Sequence, residues 1–274
     1  RRVLFRSALV FVSQTPDYIL PATACILQAK LGLERSCMAM DINLGCSGWV
    51  YGLSVLSSLM QTGNIKKAIL LAGDARKQAK EELDQLFGYA CTATALEYSK
   101  EAKPFYFDLG TDGTGYDAII RPGGGCRNQF NEDSLKLELC EDGRKRHAIQ
   151  TRMKGMDVFA FGITTAPKSI KKLTANYEMD YTSFDYVILH QANYKMTETI
   201  RKKLKLDAEK MPYSMLHFGN TSSASIPLTI VTQLKGKIED KPTKIIGCAF
   251  GVGLSWGTVA FETEHLLISE LVEV

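Results

Sequence analysis

Short apolar runs of strand length alternate with longer amphipathic segments along most of this chain. That alternation constrains the fold more than any other feature. Residues 8–13 (ALVFVS) read as a buried strand, 23–31 as a short helix stopped by Gly32, and 38–42 as a second strand. Residues 47–62 read as a helix, with Val50, Leu53, Leu56, Leu59 and Met60 along one face and Gly63-Asn64 at its end. Residues 67–72 and 92–98 are strands. Strands separated by helices imply an α/β protein, with a mixed or parallel sheet covered by helices.

Residues 107–131 interrupt the pattern with GTDGTG and PGGG, and are expected to form turns or a connection between two halves. Beyond them, 157–177 reads as a helix and 185–190 (DYVILH) as a strand. This strand runs into Gln191-Ala192-Asn193-Tyr194 much as 8–13 runs into Gln14-Thr15-Pro16-Asp17-Tyr18, and 244–250 echoes 67–74. The echoes suggest a duplicated unit divided into 1–125 and 126–274.

Composition narrows the function. With 274 residues, 45% apolar, and 33 basic against 30 acidic residues, the chain is neither disordered nor a strongly basic nucleic-acid binder. No apolar run approaches the roughly 20 residues of a membrane helix, and residues 1–7 carry no signal-peptide pattern. Seven cysteines without a C-x-x-C pair disfavour a zinc site or a disulfide framework and point to a reducing cytoplasm.

Four segments hold chemistry. Cys46, in DINLGCSGWVYGL, follows a strand and opens a helix, where free N–H groups and the helix dipole favour a thiolate. Gly45 and Gly48 would permit a tight turn and close approach of a substrate. Most cysteines are structural, and local sequence leaves that reading open. His190 ends a strand, where α/β proteins place ligands, although alone it fits a structural role better. His147 sits in a charged run and reads as solvated, His217 lies close to Asn220, and His265 has no supporting pattern. Asn220, in HFGNTSSASIPLTI, is either a helix cap or an amide donor to a substrate carbonyl. Gly251 and Gly253 flank Val252 in CAFGVGLSWG, a loop able to offer backbone N–H groups to an oxyanion; it is not a nucleotide P-loop.

Together DINLGCSG (41–48), HQAN (190–193), GNTSSASIP (219–227) and FGVGLSWG (250–257) resemble the β-ketoacyl-acyl carrier protein synthase III family of thiolase-like condensing enzymes. The resemblance runs from about residue 8 to 262. It implies a thiolase-like fold, two similar α/β halves in a layered αβαβα sandwich, with Cys46, His190 and Asn220 as catalytic triad. The implied reaction loads an acyl group from acyl-CoA onto Cys46, then condenses it with decarboxylating malonyl-acyl carrier protein to a 3-oxoacyl product. His190 and Asn220 would hold the malonyl thioester oxygen, and the N–H groups of Cys46 and Val252 the acyl carbonyl. Met153, Gly155, Phe159, Ala192, Asn193, Gly251 and Gly253 align with substrate-binding positions, and Lys195 with a basic residue facing the carrier protein. Leu20 aligns with a residue that closes the acyl pocket across a homodimer interface. No metal, cofactor, nucleic acid or membrane partner is implied.

The family also starts upstream of residue 8. The resemblance therefore implies that the first strand and helix of the N-terminal half, the strand central in its sheet, are missing, and residues 1–7 match nothing expected there. Tyr89 stands where the family usually has Asp. Non-decarboxylating acyl transfer to an alcohol or amine is the alternative on the same fold, and an inactive truncated homologue acting as a binding protein is another. Thiolase proper is disfavoured, because Cys248 does not fit its second cysteine.

Overall fold

The computed structural model describes residues 8–75 and 86–273. Residues 1–7 lie outside that range. Strand β1 (Ala8–Val12) leads to α1 (Thr23–Lys30), β2 (Met38–Ile42), α2 (Gly48–Gln61), β3 (Lys67–Asp74) and β4 (Ala90–Glu97). The second part begins with β5 (Tyr106–Thr111). Two small antiparallel ladders follow, formed by β6 (Ile119–Ile120), β7 (Glu138–Leu139), β8 (Lys145–Arg146) and β9 (Arg152–Met153). The long helix α3 (Gly155–Asn176) precedes β10 (Tyr186–Leu189), α4 (Tyr194–Leu204), α5 (Met215–Phe218) and α6 (Ser225–Thr229). Strands β11 (Thr243–Gly251) and β12 (Ser255–Thr263) complete the fold.

Two four-stranded sheets carry the architecture, in the orders β2-β1-β3-β4 and β10-β11-β12-β5. In the first, β1 runs parallel to β2 and β3, and β4 is antiparallel to β3. In the second, β10 is parallel to β11, and β12 is antiparallel to it. The succession β1-β3-β4 is thus repeated as β10-β11-β12, and the echo between residues 67–74 and 244–250 falls on equivalent strands.

Helix α2 lies between the sheets. Its residues Trp49, Val50, Leu53, Leu56 and Met60 are buried with Val10, Val12 and Leu70 of one sheet and Ile188, Ile245 and Val259 of the other. Ile226 of α6 joins the same core. A helix apolar on more than one face suits this middle layer. Gly48 and Gly52 let its backbone approach: a Cβ on Gly48 would stand 2.3 Å from Val12 Cγ1, and one on Gly52 2.5 Å from Leu70 Cδ1. Helices α3 and α4 cover the outer face of the second sheet through Ile170, Leu173, Ile200 and Leu204.

Three expectations change. Residues 107–131 begin with a strand rather than turns: β5 pairs with β12, so residues 106–111 belong to the second sheet and not to a first half ending at 125. Its Asp and Gly imitate a turn, but Gly110 lies beneath the Trp256 ring, which a Cβ would meet at 2.1 Å. Strand β12 carried no separate sequence signal. The expected gap from a missing central strand is not found either, because β1 is hydrogen-bonded on both sides and the described sheet is continuous.

Asp108 ties α3 to the second sheet. Its buried carboxylate accepts from Ser169 Oγ at 2.7 Å and Trp256 Nε1 at 3.2 Å, and pairs with Lys172 at 2.6 Å. Removing it takes the acceptor from the half-buried Trp256 Nε1 and leaves the buried Ser169 hydroxyl with Thr258 Oγ1, 2.6 Å away, as its remaining side-chain partner. Asp108→Ala is expected to cost about 3 kcal/mol in urea unfolding. Lys172→Ala, whose side chain is largely exposed, should cost under about 1 kcal/mol. Equal effects would mean that the surface ion pair, not the buried acceptor, carries the tie.

Candidate active site

The loop after β2 turns sharply into α2. Gly48 N–H donates to Gly45 O at 2.8 Å, and Cys46 sits half-buried within this turn. Gly45 lies against the end of a neighbouring side chain: a Cβ there would stand 2.4 Å from Gln14 Oε1, which would have to move aside. The close approaches at Gly45 and Gly48 are therefore made by Gln14 and Val12, not reserved for a substrate. Gln14 is held in turn by Asp74, whose Oδ1 accepts from Gln14 N at 2.7 Å and Ser13 Oγ at 2.9 Å. Asp41, five residues before the cysteine, accepts from the N–H groups of Thr23 and Ala24, both at 2.7 Å, and so anchors the start of α1.

The end of β11 meets the cysteine from the other sheet. A Cβ on Gly251 would lie 2.6 Å from Cys46 Sγ, so the Gly251 backbone rests directly on the thiol. Val252 follows, and its Cγ2 is 3.3 Å from where a Gly45 Cβ would sit. Gly253 and Leu254 take positive φ, 73° and 46°, turning the chain into β12.

His190 lies at the end of β10 and is 1% exposed. Its backbone N–H donates to Cys248 O at 2.8 Å, and its ring stands edge-on to Phe250, centroids 6.0 Å apart. Nδ1 lies 2.8 Å from Ser225 Oγ. Burial pushes its pKa down to about 4, because the charged imidazolium has no water to solvate it.

Asn220 is also buried. Its Oδ1 accepts from Ser222 N–H at 2.9 Å, an Asx turn rather than a helix cap, which leaves the Nδ2 donors as what the side chain offers a ligand. Its backbone is gripped on both sides: Asn220 N–H donates to Leu86 O at 2.8 Å, and Gly88 N–H donates to Asn220 O at 3.0 Å. A Cβ on Gly88 would fall 1.8 Å from Phe218 O, so only glycine fits beside this loop. The neighbouring Tyr89 side chain is exposed.

Cys46 and Val252 are thus joined through Gly251, and His190 reaches the same turn through Phe250. Ser223, three residues after Asn220, lies 3.7 Å from where a Gly48 Cβ would stand, which brings the Asn220 loop to the start of α2. Ala192 and Asn193 continue from His190, and the Asn193 side chain caps α4 by accepting from Met196 N–H. Met153 ends β9 and Gly155 opens α3. Phe159 on α3 has Lys195 Nζ 5.9 Å from its ring centroid. Leu20 is not brought to this site: it is 79% exposed, beside exposed Tyr18 and Ile19. His147 is half-buried rather than solvated. Ser225 and Gly88 were not singled out by sequence, for their partners are distant along the chain.

Two family models match this chain. That described as 3-oxoacyl-[acyl-carrier-protein (ACP)] synthase III covers residues 40–113, and that for the synthase III C terminal covers 174–263. A β-ketoacyl-[acyl-carrier-protein] synthase III of Clostridium tetani is 31% identical over 257 residues, 90% of this chain and 75% of that protein. The chain belongs to the 3-oxoacyl-[acyl-carrier-protein] synthase III family. The relative from Clostridium acetobutylicum is 30% identical over 93% of this chain and 76% of its own length. Among solved structures, a 3-oxoacyl-(acyl-carrier protein) synthase from Burkholderia xenovorans superposes with a TM-score of 0.88 at 37% identity, covering 98% of this chain and 77% of that one. The synthase III from Pseudomonas aeruginosa gives 0.79 at 27%, covering 95% and 78%. The fold is therefore thiolase-like, and this synthase III family member is an acyltransferase of the condensing-enzyme class.

The lowered His190 pKa has a consequence for stability. The unfolded chain takes up a proton near pH 6.5, the folded chain only near 4. Stability from the neutral ring is complete above pH 6.5 and lost as pH falls through 4, on the order of 3 kcal/mol in total. Urea unfolding at pH 7 and pH 4.5 should show the wild type losing roughly 2 kcal/mol more than His190→Gln. Equal losses would show that His190 titrates normally.

Proposed function

We propose that this synthase III family member condenses an acyl group from acyl-CoA with malonyl-acyl carrier protein, using Cys46, His190 and Asn220. The observation that carries this reading is the Gly251 backbone lying on the Cys46 thiol. Val252 is the next residue along the chain, so this closeness supports its N–H as a donor to the acyl carbonyl oxygen.

The Cys46 thiolate attacks the acyl thioester carbonyl, and the coenzyme A thiolate leaves and is protonated. The N–H groups of Cys46 and Val252 hold the oxyanion. Malonyl-acyl carrier protein then loses carbon dioxide: its C–C bond breaks, and the electron pair becomes an enolate on the thioester oxygen. The enolate carbon attacks the Cys46 thioester, a new C–C bond forms, and the Cys46 thiolate is released. His190 and Asn220 donate hydrogen bonds to the enolate oxygen. We assign the Ser225 hydroxyl as donor to His190 Nδ1, which leaves the proton on Nε2. The reaction needs no metal and no cofactor beyond the pantetheine of its substrates.

Met153, Gly155, Phe159, Ala192, Asn193, Gly251 and Gly253 line the proposed path for pantetheine and acyl group. Lys195, at the start of α4, faces the carrier protein, and the basic last turn of that helix (Lys202, Lys203) supports an acidic partner. Leu20 serves a second protomer in a homodimer, a role its exposure supports. No helix among the described residues is long and apolar enough to cross a membrane. We place the enzyme in the cytoplasm, consistent with seven cysteines that include no C-x-x-C pair.

Incubation with a panel of acyl-CoAs should add one acyl mass to the wild type and none to Cys46→Ala. Malonyl-acyl carrier protein should then yield a 3-oxoacyl product. His190→Ala and Asn220→Ala should each lower that second step by about 10²–10³ while Cys46 still acylates. A folded protein that takes no acyl group, or one that passes it to an alcohol or amine without releasing carbon dioxide, would overturn the assignment.

A further inference from the structure

A hydrogen-bonded chain crosses between the two sheets immediately behind the cysteine. Ser47 Oγ lies 2.7 Å from Ser255 Oγ, and Ser255 Oγ donates to Val252 O at 2.9 Å. Both serines are buried, Ser47 wholly so. Each hydroxyl has one proton. That of Ser255 is committed to the Val252 carbonyl, so Ser47 must donate to Ser255. The direction is therefore set: Ser47 to Ser255 to Val252.

The chain begins on the residue next to Cys46 and ends on Val252, the second oxyanion donor of the proposed function. It spans 208 residues of sequence and closes the distance between the start of α2 and the turn joining β11 to β12. That turn contains two residues with positive φ. Gly253 permits many conformations, and Leu254 sits at φ 46°, where a non-glycine residue needs its surroundings to hold it. The Leu254 carbonyl accepts from Asp112 N–H at 3.0 Å. Among the described residues, the serine chain links the turn through side-chain hydroxyls to the dipeptide that carries the nucleophile.

We propose that Ser47 and Ser255 are positioning residues that hold the Val252 N–H in register with Cys46, so that the acyl oxyanion meets two preset donors. The proposal rests on Val252 serving as an oxyanion donor. A misplaced donor costs less than an absent one, so each loss of hydroxyl should slow acyl transfer about 10- to 100-fold.

The test compares two reactions of one thiol. Acylation by acyl-CoA, followed in a single turnover by intact mass, uses the oxyanion site. Alkylation by iodoacetamide, a displacement at a saturated carbon, does not. Ser47→Ala and Ser255→Ala should acylate about 10- to 100-fold more slowly, yet alkylate within about twofold of wild type. The double variant should be no slower than the worse single one, because both break the same chain. Ser255→Thr, which keeps the hydroxyl, should acylate faster than Ser255→Val, which has the same shape without it; this pair controls for packing. Acylation unchanged in the alanine variants, or acylation and alkylation falling together, would overturn the proposal. A wild type that alkylates at Cys46 but accepts no acyl group would overturn the functional reading beneath it, and is distinguished by needing no variant.

Discussion

Burial of α2 between two sheets is the constraint on which the rest of this structure depends. A helix in that position needs apolar residues on opposite faces and glycines where β1 and β3 press closest. Trp49, Val50, Leu53 and Leu56 meet the first need, and Gly48 and Gly52 the second. Trp49 also places its one polar atom correctly, donating from Nε1 to Thr94 Oγ1 at 3.0 Å. Both sheets are registered against this helix, and their strand ends are brought to its N-terminus. The position of Cys46 follows from this packing, since the turn that carries it must fit between Gln14 of one half and Gly251 of the other.

The site is consequently made of parts that no single half contains. Cys46 comes from the first sheet's side, and the Gly251-Val252 backbone from the second. Asn220 is held by residues 86–88, which precede β4 of the first sheet, although Asn220 itself lies beyond β10 of the second. Glycine recurs where the halves touch: Gly88 and Gly251 each exclude a Cβ at under 3 Å. Contacts this short between separate segments tolerate little relative movement, because a packed interior transmits displacement rather than absorbing it. Precision in the site is a property of the interface between the sheets.

Much of this was legible in the sequence. The strands before Cys46 and before His190, and α2 itself, have apolar spacing that no other structure explains well. Strand β5 was not legible, because Asp108 and Gly110 look like turn residues until their distant partners, Ser169 and Trp256, are known. The same applies within the site. Ser225 is 35 residues from His190, and Ser255 is 208 from Ser47, so neither pairing leaves a local pattern. Gly48 reads correctly as a residue of close approach, but only the packing shows that it is Val12 that approaches. Local periodicity reports which face of an element is buried. It carries no information about which buried polar groups will find one another.

The neutral state of His190 bears on the chemistry as much as on stability. In the proposed reaction the malonyl group enters as a carboxylate and leaves as uncharged carbon dioxide, while negative charge moves to the thioester oxygen. A permanent cation near the carboxylate would stabilise the ground state and oppose its loss, since only interactions stronger in the transition state accelerate the step. A buried imidazole with a pKa near 4 remains uncharged at neutral pH. In the proposed role it would offer an N–H dipole to one atom instead of a charge felt across the site. Asn220 does the same with a group that never ionises. Two neutral donors stabilise charge where it develops and leave it unstabilised where it departs, and burying them costs less than burying an ion. The dry surroundings that lower the His190 pKa therefore also favour the order of events that decarboxylation requires.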